Sequence, residues 1–238
     1  MNIALPCCDV SCCAGTQRLR NGNLDAKISQ EHIGFIYDEL SDIYDIWGRL
    51  TESRARSRAI ELASIKDGDN ILEVAVGTGL AFYEIAKRNP HGSNLGIDLS
   101  EGMLDKARNR MKKVVGANYR LAIGTAFDLP AQTESVDLLV NNYMFDLIPF
   151  ADMDKVLLEF RRVLKADAKL ILVNMTVGET LRSRLYEFIY RVSPRIMGGC
   201  RGVKLAEKLR QHGFSIETRE VYQQLLFPSE LILARKHV

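Results

Sequence analysis

The residues of this sequence best suited to chemistry lie in a glycine-rich turn and at the end of the strand predicted after it. The run I-L-E-V-A-V-G-T-G, from Ile71 to Gly79, is typical of a short buried strand that turns at Gly77 and enters a helix. Glycine lets the backbone approach a ligand closely, and the N–H groups of the first helical turn point towards the same space. Asp98 follows Gly79 by 19 residues, and a carboxylate there can accept both hydroxyls of a ribose. The pattern predicts a nucleoside-binding site, although a glycine pair alone would suit an ordinary strand-to-helix turn equally well.

The spacing around these glycines argues against two other nucleotide-binding motifs. A dinucleotide fingerprint needs a third glycine at the position that Phe82 occupies in this chain. A Walker A loop needs Gly-Lys-Ser or Gly-Lys-Thr after the turn, and neither sequence follows here. The nucleoside reading therefore depends on Asp98 and on the segments that follow it.

Predicted strands and helices alternate along most of the chain, which indicates a parallel sheet with helices on both faces. The chain has 238 residues, and its 47% hydrophobic content is ample for one domain with additions. A helix is predicted from Thr51 to Leu62, with Arg54, Arg56 and Arg58 on its solvent side. Further helices are predicted at 80–88 and 101–114, and strands at 119–123 and 169–174.

Five segments, in order, resemble the motifs of the class I S-adenosylmethionine-dependent methyltransferases. They are E-V-A-V-G-T-G at 73–79, G-I-D-L-S-E-G-M-L at 96–104, G-T-A-F-D-L-P at 124–130, S-V-D-L-L-V at 135–140 and L-K-A-D-A-K-L-I-L-V at 164–173. The chain is most similar to the ubiquinone/menaquinone biosynthesis methyltransferase-like group, from Tyr37 to Lys236. The resemblance implies an α/β, Rossmann-like fold with a seven-stranded, mostly parallel sheet in the order 3-2-1-4-5-7-6 and an N-terminal helical lid.

The same resemblance implies a binding site for S-adenosylmethionine. Glu73 resembles the acid that orders the glycine turn and the methionine amino group, Gly77 and Gly79 pass the methionine and the ribose, and Asp98 takes the ribose hydroxyls. The other predicted cofactor contacts are Leu99 and Met103 on the adenine ring, Thr125 and Ala126 near its amino group, and Asn141 near the methyl group.

Two positions depart from the family pattern. Ala75 stands where many members have the first glycine of the turn, and we expect it to be tolerated because it ends the strand. Thr125 stands where many members have an aspartate that accepts from the adenine amino group, so this contact is expected to be weaker or to come from the backbone near Ala126.

Methyl transfer from a sulfonium needs alignment of the acceptor, and it needs a base only when the acceptor carries a proton. Tyr143 and Asp146 follow the predicted strand 136–141 and are the candidate catalytic residues, with Asp146 as the base; a solvated loop acid is the alternative. No metal site is predicted for the folded domain.

The acceptor side is predicted to be a helical insertion at 180–212. Eight basic residues lie between positions 182 and 210, interleaved with aromatic residues. Such a helix suits an anionic lipid surface or a lipid-like substrate, although a helix with solvated arginines would look the same. We therefore predict a small apolar or lipid-like acceptor, a quinol-type ring or a lipid head group, with possible peripheral membrane contact through 182–210.

Five cysteines support alternative functions. Cys7, Cys8, Cys12 and Cys13 lie in a predicted flexible tail at 1–25, ahead of a methyltransferase domain at 26–238 that begins with helices at 26–60. With Cys200 they make an arsenite methyltransferase an alternative, against which Tyr143 stands where those enzymes have another cysteine. A non-catalytic cofactor-binding protein or thiol metal carrier is the alternative from a different class.

The net charge of +2 gives no reason to expect a nucleic acid partner. The N-terminus shows neither a basic start nor a sustained apolar run, so a cytoplasmic location is predicted.

Overall fold

A computed structural model describes residues 52–176, 201–224 and 227–237. Within these ranges the helices and strands follow one another as α1 (Ser53–Ala63), β1 (Asn70–Val74), α2 (Leu80–Arg88), β2 (Ser93–Asp98), α3 (Glu101–Met111), β3 (Tyr119–Ile123), β4 (Val136–Asn142), α4 (Met153–Val163), β5 (Leu164–Met175), α5 (Ala206–Gln211), β6 (Phe214–Gln224) and β7 (Phe227–Lys236). The predicted tail, the helices before residue 52 and most of the 180–212 insertion lie outside the described residues.

The seven strands form one sheet in the order β3-β2-β1-β4-β5-β7-β6. The first five strands are parallel to their neighbours, whereas β7 pairs antiparallel with both β5 and β6. This order and the closing antiparallel pair confirm the fold that the sequence predicts.

Helices cover both faces of the sheet. Successive residues of its central strands point to opposite faces, so each face carries apolar side chains that have to be buried. Ile71 packs on one face with Ala55 of α1 and Ile85 of α2. Leu72 packs on the other face with Phe160 of α4 and Leu209 of α5. The sheet is therefore enclosed on both sides, as the continuous apolar runs in its strands predict.

Local sequence sets the start of helix α3, and two element bounds differ from the sequence prediction. Ser100 caps α3, since its Oγ accepts from the backbone N–H of Met103 at 3.0 Å. That helix ends at Met111, three residues earlier than the sequence predicts. Strand β5 begins at Leu164, directly after α4, although the sequence predicts a start at Lys169.

Strand β1 lies between β2 and β4, because the chain runs from β1 to β2 and β3 on one side and then crosses from β3 to β4 on the other side of β1. In open α/β sheets, ligands bind beyond the carboxyl ends of the strands at such a switch point. The turn after Val74 and the carboxylate of Asp98 both lie at this edge.

Candidate active site

Two adjoining cavities lie beside the turn after β1. The larger one, called the larger cleft, opens at the carboxyl ends of β1, β2 and β4 and has an empty volume of about 780 Å³, part of it open to solvent. Its walls come from the turn after β1, the start of α3, the loop after β3 and the loop after β4. The lining residues are Val74, Ala75, Gly77, Asp98, Leu99, Ser100, Met103, Gly124, Thr125, Ala126, Phe127, Asn142, Tyr143, Met144, Leu147 and Ile148.

The turn after β1 has three residues with positive φ: Ala75 at 59°, Gly77 at 56° and Gly79 at 79°. The alanine at position 75 is therefore strained, which the sequence does not predict, because a left-handed conformation costs a residue with a Cβ about 1 to 2 kcal/mol. A Cβ on Gly77 would meet no described atom within 4 Å, whereas one on Gly79 would lie 3.0 Å from the Cβ of Ala107 in α3. Gly77 thus borders the cleft, and Gly79 allows α2 and α3 to pack closely.

The carboxylate of Asp98 closes the turn from the side of β2. One oxygen accepts from the N–H of Gly77 at 2.7 Å, and the other accepts from the N–H of Ser100 at 3.0 Å. Each carboxylate oxygen can accept more than one hydrogen bond, so both can also take a hydroxyl. The predicted ribose-binding acid therefore lies directly beside the predicted glycine.

The predicted adenine contacts form one side of the larger cleft. Leu99 is 48% exposed, while Met103 and Ala126 are buried and line the same cleft. The Oγ1 of Thr125 accepts weakly from the N–H of Phe127 at 3.4 Å, within its own turn. A threonine at this position is thus engaged with the backbone and is a poor substitute for a carboxylate acceptor.

A smaller cavity of about 350 Å³ adjoins the cleft and shares Ala75, Gly77, Asn142 and Tyr143 with it. Glu73 lines this cavity and is 1% exposed. Its Oε1 accepts from Asn142 at 3.4 Å, and its Oε2 has no hydrogen-bond partner among the described residues. Burial raises the pKa of Glu73 to about 8. A cationic group of a ligand would complete this environment.

The pKa of Glu73 predicts how the stability of the ligand-free protein changes with pH. A carboxyl whose pKa is higher in the folded than in the unfolded protein favours folding while it is protonated, at about 1.4 kcal/mol per pKa unit. We expect the free energy of unfolding to fall as the pH rises from about 5 through 8. Urea unfolding across this range measures the slope.

The matched variant is Glu73→Gln, which stays neutral at every pH. Its free energy of unfolding should depend less on pH. The remaining dependence comes from other groups such as His91, whose pKa the Asp67 carboxylate raises. Parallel profiles for the two proteins would contradict the prediction.

At the end of β4, the structure places the side chains differently from what the sequence predicts. Asn141 is buried, donates to the carbonyl of Val74 at 2.8 Å and lines neither cavity. Its neighbour Asn142 lines both. We therefore propose Asn142, in place of Asn141, as the amide that faces the cofactor.

The two predicted catalytic residues are both buried. Tyr143 lines both cavities, but its hydroxyl lies 2.8 Å from Oγ of Ser229, and burial raises the tyrosine pKa well above its usual value. Asp146 is buried and lines neither cavity. This geometry supports a structural role for Tyr143 and gives no support to Asp146 as the base.

Several lining residues were missed by the sequence predictions. Phe127, Leu147 and Ile148 add apolar walls to the larger cleft, and Glu52 and Arg56 line the smaller cavity. Phe127 lies within the motif at 124–130, so its position was a usable signal, whereas Leu147 and Ile148 lie beyond the motif at 135–140 and had no such signal. For Arg56 the sequence prediction was wrong, because the helical periodicity placed its side chain towards solvent and the structure places it in the wall of the smaller cavity.

Known proteins resemble this chain in sequence or in fold. A family described as a methyltransferase domain matches residues 71–167. The demethylmenaquinone methyltransferase of Thermotoga maritima is 27% identical over 72% of this chain and 74% of that enzyme. The ubiquinone/menaquinone biosynthesis C-methyltransferase UbiE of Geobacter sulfurreducens is 30% identical over 71% of this chain and 68% of that enzyme.

Among solved structures, an S-adenosylmethionine-dependent methyltransferase from Methanosarcina mazei has a similar fold. Its TM-score is 0.61 at 20% identity, over 73% of this chain and 95% of that one. The Gly77 turn beside Asp98 and the buried Glu73 oxygen suit the nucleoside and the cationic end of this cofactor. The chain therefore belongs to the class I S-adenosylmethionine-dependent methyltransferases of the ubiquinone/menaquinone biosynthesis group, and S-adenosylmethionine is its cofactor.

Proposed function

We propose that the larger cleft holds the adenosyl part of the cofactor and that the smaller cavity holds its methionyl part. Asp98 would accept the ribose hydroxyls, Leu99 and Met103 would contact the adenine, and Glu73 would face the amino group. The support for this orientation is that the two cavities meet at Ala75, Gly77, Asn142 and Tyr143. Thr125 and Ala126 would act through the shape of the cleft wall, and Gly79 would act indirectly by letting α2 pack closely on α3.

We further propose that the acceptor is a quinol-type ring methylated at carbon. The observation that carries this proposal is the apolar wall that Phe127, Met144, Leu147 and Ile148 contribute to the larger cleft. A flat apolar ring can replace water against such a wall, which brings the ring towards the methyl group and keeps the reaction dry. Relatives named for demethylmenaquinone and for ubiquinone/menaquinone biosynthesis support the same class of acceptor.

The bound cofactor supplies a methyl group that its positive sulfur already activates, so the chain has to align the acceptor and exclude water. Carbon methylation of a quinol also releases one proton from the ring carbon. Asp98 and Tyr143 are the titratable side chains lining the larger cleft among the described residues. Asp98 already accepts two backbone N–H groups and Tyr143 contacts Ser229, so we assign neither of them the role of base.

The proposal is tested with methyl-labelled cofactor and a reduced short-chain demethylmenaquinol. We expect label in the quinol, and none when the same ring already carries its methyl group. The unreduced quinone should also stay unlabelled, because its ring carbon is a poor nucleophile. Equal labelling of the two rings, or labelling of neither, would contradict a quinol carbon as the acceptor.

Arsenite with glutathione belongs in the same assay as the competing acceptor. Cys7, Cys8, Cys12, Cys13 and Cys200 all lie outside the described residues, so an arsenite site stays a prediction from the sequence. Rapid methylation of arsenite, lost in Cys200→Ser, would favour that alternative over the quinol. A protein that binds the cofactor and labels no acceptor would favour the non-catalytic reading.

Membrane contact through 182–210 also stays a prediction, because most of this segment lies outside the described residues. In the part of the chain that the structure describes, no helix is long and apolar enough to cross a bilayer. Sedimentation with anionic vesicles, with and without the charges of Arg191 and Arg195, tests the predicted attachment.

The two glycines of the turn should respond differently to alanine. Both changes place a Cβ at positive φ, at a cost of about 1 to 2 kcal/mol each. Gly79→Ala should lower the free energy of unfolding by about 1 to 3 kcal/mol more, because its methyl group meets Ala107. Gly77→Ala should instead mainly weaken cofactor binding, because its methyl group enters the cleft.

Urea unfolding and calorimetric titration of both variants measure the two effects. A Gly77→Ala protein that binds the cofactor normally would remove this residue from the proposed site. Equal stability of the two variants would contradict the packing role of Gly79.

A further inference from the structure

The smaller cavity contains side chains of both charges, from two separate parts of the chain. Glu73 comes from β1, while Arg56 and Glu52 come from the start of α1. The side chains of Arg56 and Glu52 are only 14% and 12% exposed, and their charged groups lie 3.8 Å apart. A partly buried guanidinium thus stands in the same cavity as a buried carboxyl.

Packing of α1 explains why Arg56 turns inward. Ala55 and Ala59 are buried against the sheet, which places Arg54 in solvent and leaves Arg56 beside the buried stripe. Arg58 pairs with Glu220 at 3.0 Å, on the side of β6. Of the three arginines predicted to face solvent, only Arg54 is fully exposed, and Arg56 lines the cavity.

The charges in this cavity are complementary to an α-amino acid. Glu73 has an oxygen without a hydrogen-bond partner among the described residues, and it can accept from an ammonium group. Arg56 presents a planar set of donors that matches a carboxylate, and its contact with Glu52 at 3.8 Å is too long for a hydrogen bond. A zwitterion would meet a guanidinium at its carboxylate and an unpaired carboxyl oxygen at its ammonium group.

We propose that Arg56 binds the carboxylate of the methionyl part of the cofactor and thereby lets the enzyme distinguish ligands with an amino acid end. This inference rests on the proposed orientation of the cofactor and is independent of the identity of the acceptor.

Calorimetric titration with four ligands tests the role of Arg56. S-adenosylmethionine and S-adenosylhomocysteine have both charged ends, decarboxylated S-adenosylmethionine lacks the carboxylate, and methylthioadenosine lacks the whole amino acid end. Arg56→Met should weaken binding of the first two by roughly 10- to 100-fold, as expected when charge-assisted hydrogen bonds are lost. Binding of the last two should change by no more than about twofold, since they have no carboxylate for Arg56 to contact.

Two further variants separate the possible outcomes. Arg54→Met removes an exposed arginine from the same helix and should leave all four affinities unchanged. Asp98→Ala should weaken all four ligands, because all of them have the ribose. If Arg56→Met lowered the affinity for all four ligands equally, or for none of them, Arg56 would not bind the ligand carboxylate. Unchanged binding in Asp98→Ala would instead overturn the proposed orientation of the cofactor.

Discussion

Replacement of Arg201 by alanine should lower the free energy of unfolding by about 3 to 5 kcal/mol, the range for a large buried side chain whose loss leaves both a cavity and unpaired carbonyls. Arg201 is 2% exposed. Its Nη1 donates to the carbonyl of Asp146 at 2.9 Å, and its Nη2 donates to the carbonyl of Ile148 at 2.6 Å. The guanidinium also lies 4.3 Å from the centre of the Phe150 ring.

The matched control is Arg210→Ala, whose side chain is exposed and pairs with Glu207 in solvent. Its loss should change stability by less than about 1 kcal/mol. Urea unfolding of the two variants gives the comparison, and equal stability would contradict a structural role for Arg201. Arg201→Lys should fall between them, because one ammonium cannot reproduce the two-pronged contact.

Arg201 should also affect the cofactor, since it holds the loop that supplies part of the cleft wall. Leu147 and Ile148 lie in that loop and line the larger cleft. We expect the Arg201→Lys protein, where it is folded, to bind S-adenosylmethionine more weakly than the Arg210→Ala protein. Identical affinities would confine the role of Arg201 to stability.

Replacement of Asp98 by alanine should weaken S-adenosylmethionine binding by about 1 to 3 kcal/mol, which corresponds to roughly 5- to 150-fold in affinity. The change removes the proposed acceptor of the ribose hydroxyls. It also removes the acceptor of the Gly77 and Ser100 N–H groups, so the turn loses the contact that orders it. Calorimetric titration measures the affinity directly.

Asp105→Ala is the control for Asp98, because it removes an exposed carboxylate from the same region of the chain. Its affinity for the cofactor should equal that of the unchanged protein. Asp98→Asn should bind more weakly than the unchanged protein and more tightly than the alanine variant, because its amide oxygen can still accept while its N–H₂ group cannot. Normal affinity in either Asp98 variant would remove this residue from the site.

The sequence by itself was sufficient for the sheet and, by resemblance, for the order of its strands, and it predicted the centre of the proposed cofactor site. Helix α2 and strand β3 agree with the predicted bounds residue for residue. Gly77 and Asp98 are 21 residues apart yet form a hydrogen bond, because they lie at the carboxyl ends of neighbouring parallel strands, which are side by side. These features follow from local periodicity and from turns whose chemistry depends on neighbouring residues.

The choice between Asn141 and Asn142 needed the tertiary structure. Strand β4 is apolar on both of its sides, so its sequence has no alternation to show which residues face the cleft. Pairing with β1 decides the matter, because it places the Asn141 amide against the Val74 carbonyl. The neighbouring amide then lines both cavities.

Contacts between distant residues were equally outside the reach of the sequence. The hydroxyl of Tyr143 meets Ser229 across 86 positions, and Arg201 meets Asp146 across 55. The inward position of Arg56 depends on how α1 packs against the edge of the cavity, which helical periodicity alone does not determine. The sequence thus predicted where the cofactor binds, and only packing decided which side chains line the two cavities, because a side chain's environment is set by elements that the chain brings together from far apart.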